Sequence, residues 1–132
     1  MIKILLFCVI MFSSVSISSA QQSFEKDTIE TSSGNIAITF IGHGTLMVEF
    51  GGKVIHIDPW TRAADYSRLP KADLILVTHE HGDHLDANAV AEVVKNGTAV
   101  AYTQSCANQL ERFGGVVMKN GDSATLAGIP VE

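Results

Sequence analysis

The sequence predicts a layered α/β or α+β domain. Three closely spaced strand signals come first, over residues 36–58, and strand and helix signals then alternate along the rest of the chain. The composition agrees: 132 residues, 46% hydrophobic and 17% charged, are enough for one domain with a real core. That balance excludes a disordered or fibrous chain.

Residues 1–20 read as a separate object. Lys3 supplies a positive start, Ile4 to Phe12 is an unbroken apolar run, and Ser18-Ser19-Ala20 is a small-residue cleavage signal before Gln21. This is the pattern of a secretory signal peptide cut after Ala20, and the apolar run is short for a membrane span. The expectation is therefore a periplasmic or secreted protein with no stable membrane anchor after cleavage. Cys8 leaves with the signal, so Cys106 alone remains and cannot form an internal disulfide. Cys106, Leu110 and Phe113 share a helical face, which marks Cys106 as core.

Residues 21–35 are polar and read as a flexible lead-in, with room for one short strand at its end. Ile36 to Ile41 alternates around β-branched residues. Thr45 to Phe50 follows a Gly-His-Gly turn, and Lys53 to Asp58 follows Gly51-Gly52, a two-residue hairpin signal. Asp58-Pro59 stops the third strand. Trp60 to Lys71 has no clear period and reads as a loop; Trp60 and Tyr66 in it can line a pocket or simply pack. Asp73 to Thr78 holds the run Leu-Ile-Leu-Val, a strand buried on both faces. Asp86 can cap a helix from Ala87 to Lys95, ended by Asn96-Gly97. Thr98 to Tyr102 is a strand, Gln104 to Phe113 a helix closed by Gly114-Gly115, and Val116 to Lys119 a short strand. Asn120-Gly121-Asp122 is a turn, and residues 123–132 are strand material broken at Gly128 and Pro130.

The formal net charge of −5 offers no basic patch for nucleic acid or for an anionic membrane. A small-molecule substrate is the expected partner. The chemistry lies in Thr78-His79-Glu80-His81-Gly82-Asp83-His84-Leu85-Asp86. His79, His81, Asp83 and His84 are four candidate metal ligands within six residues. On an extended backbone His79 and His81 project to the same side and can share one ion. Gly82 is expected to permit a tight turn that aims Asp83 and His84 at a second ion. The motif follows a buried strand, where α/β folds place their sites. Glu80, between two ligands, should point away as a solvated group or a loop partner. His56 reads as a satisfied strand histidine.

His79-Glu80-His81-Gly82-Asp83-His84 resembles the signature of the metallo-β-lactamase superfamily. Phe40-Ile41-Gly42-His43-Gly44-Thr45 and Val54-Ile55-His56-Ile57-Asp58-Pro59-Trp60 are similar to the branch of metal-dependent hydrolases near the ascorbate-phosphate lactonases. The resemblance covers residues 36–132. It implies an αββα sandwich with a two-metal site, of which this chain is roughly the N-terminal half. It implies that His79 and His81 hold one ion and Asp83 and His84 the other, that Asp83 also orients the attacking water, that Asp58 supports the ligand loop, and that His43 lies near the site. Zn²⁺ is the expected metal, with Mn²⁺ or Fe²⁺ compatible with the same donors.

One departure stands out. The family supplies a further histidine, a bridging aspartate and a last histidine downstream of the motif. Here no histidine follows His84, and the only later aspartates are Asp86 and Asp122. Each ion is left with two protein ligands, fewer than a zinc enzyme uses. Two readings stay open: an exported dinuclear hydrolase of an ester, lactone, amide or phosphodiester, or a truncated metal-binding or interaction protein of the same fold without turnover.

Overall fold

A computed structural model describes residues 22–132; the expected signal peptide lies outside the described residues. Seven strands form one sheet in chain order: β1 (Glu25–Ile29), β2 (Ile36–Gly42), β3 (Thr45–Phe50), β4 (Lys53–Ile57), β5 (Leu74–Val77), β6 (Ala99–Tyr102) and β7 (Val116–Val117). β1 to β4 are antiparallel; β4 to β7 are parallel. The change of direction follows from the connections. Gly51 and Gly52 both take positive φ, 56° and 75°, and pair Phe50 with Lys53 across a two-residue turn. After β4 the links lengthen and become crossovers, which parallel pairing requires.

The segment expected to be a flexible lead-in carries β1. Its sequence, Glu-Lys-Asp-Thr-Ile, is exposed throughout and lies at the sheet edge. An edge strand needs no apolar alternation, and its charges discourage pairing with other chains. Hence it had no hydrophobic signature.

β5 is buried on both faces, as its apolar run demands. Ile75 and Val77 join the larger core with Ile41, Met47, Val100 and Tyr102; Leu74 joins a smaller one with Ala101 and Leu126. The first face is covered by helix α1 (Ala87–Val93) and by helix α2 (Ala107–Leu110) with its flanking 3-10 turns. Val90 and Val93 of α1 are fully buried, each contributing about 1.5–3 kcal/mol. The second face is covered in part by the hairpin of β8 (Ala124–Leu126) and β9 (Ile129–Val131), a separate two-stranded sheet. Its turn, Ala127-Gly128, has φ of 50° and 82°. Gly128 therefore makes this turn, and Pro130 sits within β9 opposite Thr125.

Two helix boundaries differ from expectation. α1 stops at Val93, two residues early, because Ala72 N donates to Val93 O at 2.8 Å and Lys71 Nζ donates to Glu92 O. Those donors take carbonyls that a longer helix would have used. The helix expected over 104–113 is a 3-10 turn (Gln104–Cys106), α2, and a second 3-10 turn (Glu111–Phe113); none of the three has a side-chain N-cap. Cys106 and Leu110 are fully buried and Phe113 packs against them, so the expected inward face is kept. The loop over 60–71 also holds a 3-10 turn, Tyr66–Arg68, capped by Asp65.

Candidate metal centre

β4 and β5 run side by side, with Ile57 opposite Leu76, so Asp58 and Thr78 leave the sheet together. Asp58 N donates to Leu76 O at 2.9 Å. Asp58 has φ of 46° and His43 of 55°, a left-handed backbone that ordinary residues rarely adopt. Both strained positions lie at the site. The Thr45 hydroxyl, donating to Asp58 O at 2.6 Å, helps to hold the first of them.

Asp58 is 3% exposed and organises the loop. It accepts from Thr78 N at 2.7 Å, from Thr78 Oγ1 at 2.6 Å and from His84 Nδ1 at 2.8 Å. A carboxylate only accepts, so His84 carries its proton on Nδ1. Thr78 has one hydroxyl proton, already given to Asp58; its contact with His79 Nδ1 at 2.9 Å is therefore donated by the ring. In the neutral form both imidazoles then keep a bare Nε2, the form in which histidine binds a metal. The expected supporting role of Asp58 has this geometry. Thr78 was missed; its only sequence signal is its place directly before His79.

The rings gather closely. His79 and His84 centroids are 4.0 Å apart, and His79 and His81 are 4.7 Å apart, edge to face. His43 Nε2 lies 2.7 Å from Asp83 Oδ2, and His84 Nε2 lies 3.8 Å from the same oxygen. Two triplets bring one ligand atom each within 4.8 Å of one another: His43, Asp83 and His84, and Asp58, His79 and His84. Asp58 is spent on its hydrogen bonds, so in the second triplet it orients the histidines. His43 stands within ligand reach of Asp83 and His84. His81 is exposed and joins His79 but neither triplet. Imidazole nitrogens with a carboxylate are a donor set that fits a divalent cation such as Zn²⁺.

The turn after His81 is made differently from expectation. His81 O accepts from His84 N at 2.9 Å and from Leu85 N at 2.8 Å. Gly82 is outside the positive-φ set, and a Cβ there would meet nothing. The glycine that matters is Gly44: a Cβ on it would lie 2.7 Å from His84 Cε1. The His84 ring rests on that bare α-carbon.

The Asp83 carboxyl is held below the usual range by its own backbone amide and then by His43. Glu80 turns away from the histidines, and the Ser105 hydroxyl that donates to it at 2.7 Å lowers its pKa. Asp86 caps α1 through Asn88 N and Ala89 N and also accepts from Thr61 N and Oγ1. Burial pushes the Asp86 carboxyl up, but these hydrogen bonds outweigh it and leave the pKa lowered. An open groove of about 550 Å³, lined by Trp60, Thr61, Arg62, Gly82, Asp83 and Asp86, runs beside the cluster. Trp60 lines it, with its ring 5.8 Å from that of His43; Tyr66 is packing, 2% exposed, its oxygen accepting from Trp60 N. His56 is only half satisfied: Nε2 donates to Pro70 O at 2.9 Å, and buried Nδ1 has no partner.

Fold and site together define an α/β protein with a strand-end histidine and carboxylate cluster able to hold metal. A family model described as the beta-lactamase superfamily domain matches residues 37–132, and the chain belongs to the metallo-β-lactamase superfamily. It is 43% identical over 77 residues to a metal-dependent hydrolase of Flavobacterium johnsoniae, covering 49% of this chain and 34% of that one. It is 35% identical over 90 residues to another from Thermodesulfovibrio yellowstonii, covering 62% and 33%. Among solved structures, a protein from Parabacteroides distasonis assigned as a metal-dependent hydrolase superposes with a TM-score of 0.71 at 45% identity, over 78% of this chain and 46% of that one. A metallo hydrolase from Ignicoccus hospitalis gives 0.53 at 25% identity, over 71% and 44%. These likenesses bear out the fold class inferred from the histidine motif. The chain spans about a third of the length of these two curated relatives.

Proposed function

We propose that this chain carries the metal-binding part of an exported hydrolase with a dinuclear zinc site, acting on an ester, lactone, amide or phosphodiester. One observation carries the reading: Nδ1 of His79 and of His84 both engage a network centred on buried Asp58, so that in the neutral ring Nε2 of each is free. His79 and His81 would hold one ion; Asp83 and His84 would hold the other, with His43 beside them. A bound zinc pair supplies a water of lowered pKa and polarises the bond to be cut. The chain's own residues do the rest. Asp83, kept ionised, accepts a proton from the attacking water and orients it. His43 fixes the Asp83 carboxylate. The Trp60 and Arg62 groove receives the substrate beside them. Export is read from residues 1–20.

A second reading, metal binding without turnover, follows from the same donor cluster, which can hold an ion by itself. A zinc titration with a hydrolysis screen separates the two. Zn²⁺ should raise the melting temperature by mass action, and a chelator should reverse it. A lactone or ester should then be turned over, and His79→Ala or Asp83→Ala should abolish this. A melting temperature indifferent to Zn²⁺ would refute the metal centre; a zinc-stabilised protein inert to every substrate class would select the second reading.

A further inference from the structure

We infer that Ser105 is a positioning residue for the metal centre, acting through Glu80 to fix the peptide between His79 and His81; the inference rests on the metal-binding reading above. Every other side chain of the motif that faces the cluster has an anchor. His79 is held through Thr78, His84 by Asp58, and Asp83 by His43. Among the described residues, His81 makes no side-chain hydrogen bond. Its distance and angle to His79 therefore depend on the backbone of residue 80, which joins the two, and on their ring contact.

That backbone is tied down from the next strand. Val77 at the end of β5 pairs with Tyr102 at the end of β6, so the ligand loop and residues 103–106 leave the sheet as neighbours. Ser105 Oγ lies 2.7 Å from Glu80 Oε2. Glu80 can only accept, so the single Ser105 hydroxyl proton goes to it. Thr103 Oγ1, 3.1 Å from Ser105 Oγ, must then donate to Ser105, and Cys106 Sγ, 3.3 Å from Thr103 Oγ1, to Thr103. The result is a one-way chain of hydrogen bonds from the core to the loop, rooted in Cys106, which is fully buried. A ligand loop held this way keeps two imidazoles edge to face at 4.7 Å, ready to share an ion. Partners that hydrogen-bond a metal ligand commonly govern affinity by about 10–100-fold, and Ser105 acts on the residue that joins two of them.

The test titrates the full-length chain with Co²⁺, read by its visible absorption bands, and with Zn²⁺ against a chelating indicator. Ser105→Ala should weaken binding by roughly 10-fold or more and change the cobalt spectrum. Ser105→Thr, which keeps the hydroxyl, should restore both. Glu80→Ala, which cuts the same contact from the exposed side, should match Ser105→Ala and serves if that variant folds poorly. Glu80→Gln keeps an acceptor oxygen and should stay near the parent. Unchanged affinity and spectrum in Ser105→Ala or Glu80→Ala would overturn the inference, as would failure of Ser105→Thr to restore them. If the parent chain binds neither ion, the metal centre falls and the positioning role with it; if the parent binds and the variants match it, only the positioning role falls.

Discussion

One methyl group at Gly44 is the sharpest probe of the cluster. In Gly44→Ala the new Cβ would lie 2.7 Å from His84 Cε1, whereas ordinary contact begins near 3.4 Å. The ring must retreat by about 0.7 Å, since the repulsive wall of a carbon pair is steep. It is not free to do so. His84 Nδ1 is bonded to buried Asp58 at 2.8 Å, and a retreat directed away from Asp58 would take the bond to at most about 3.5 Å, past useful length. Lost charge-assisted hydrogen bonding costs about 1.5–3 kcal/mol, and overpacking costs a similar amount if the ring stays. Displacement of a reacting or ligating group by about 1 Å can cost about 100-fold in rate. Gly44→Ala should therefore unfold at lower urea and bind Zn²⁺ at least about 10-fold more weakly. Urea unfolding and indicator competition measure the two quantities. A variant with the parent's midpoint and affinity would show that His84 does not rest on Gly44, and the site geometry derived from it would be wrong.

Two further outcomes follow from buried groups. Asp58→Ala removes the acceptor for Thr78 N, Thr78 Oγ1 and His84 Nδ1 at once, and should destabilise the fold by about 3–5 kcal/mol in urea unfolding; a loss under about 1 kcal/mol would contradict the central role of this carboxylate. Burial lowers the His56 pKa from its ordinary 6.5, so the unfolded chain binds that proton more readily than the folded one. Stability should be complete above about pH 6.5 and fall as the pH drops below it toward the lowered folded value, and His56→Gln should flatten this limb in stability measured against pH.

Much of the site was legible because it is local. His79, His81, Asp83 and His84 lie within six residues, and the apolar run before them placed the motif at a strand end. The Gly51-Gly52 hairpin and the Asp86 cap were readable for the same reason. What escaped depends on contacts far apart in the chain. Ser105 is 25 residues from Glu80, and no local pattern marks it. Gly44 read as an ordinary turn glycine, because its purpose is the ring of His84. The turn expected of Gly82 is made instead by backbone hydrogen bonds from His84 N and Leu85 N to His81 O. β1 has no apolar period because it buries nothing, and α1 is shorter than its sequence signal because Lys71 and Ala72, which end it, come from another segment.

The strand order has a consequence for how the molecule forms. Because β1 to β7 lie in the sheet in the order in which they occur in the chain, each new strand adds to an edge already present. Pairing of this kind closes modest loops, which favours rapid folding. The chain can therefore assemble in the direction of its synthesis. Assembly in that order would place Asp58 before Thr78 and His84, so the acceptor would wait for its donors, and would add Ser105 only once β6 docks. The ligand loop would then be caught at its base first and tightened at its tip afterwards.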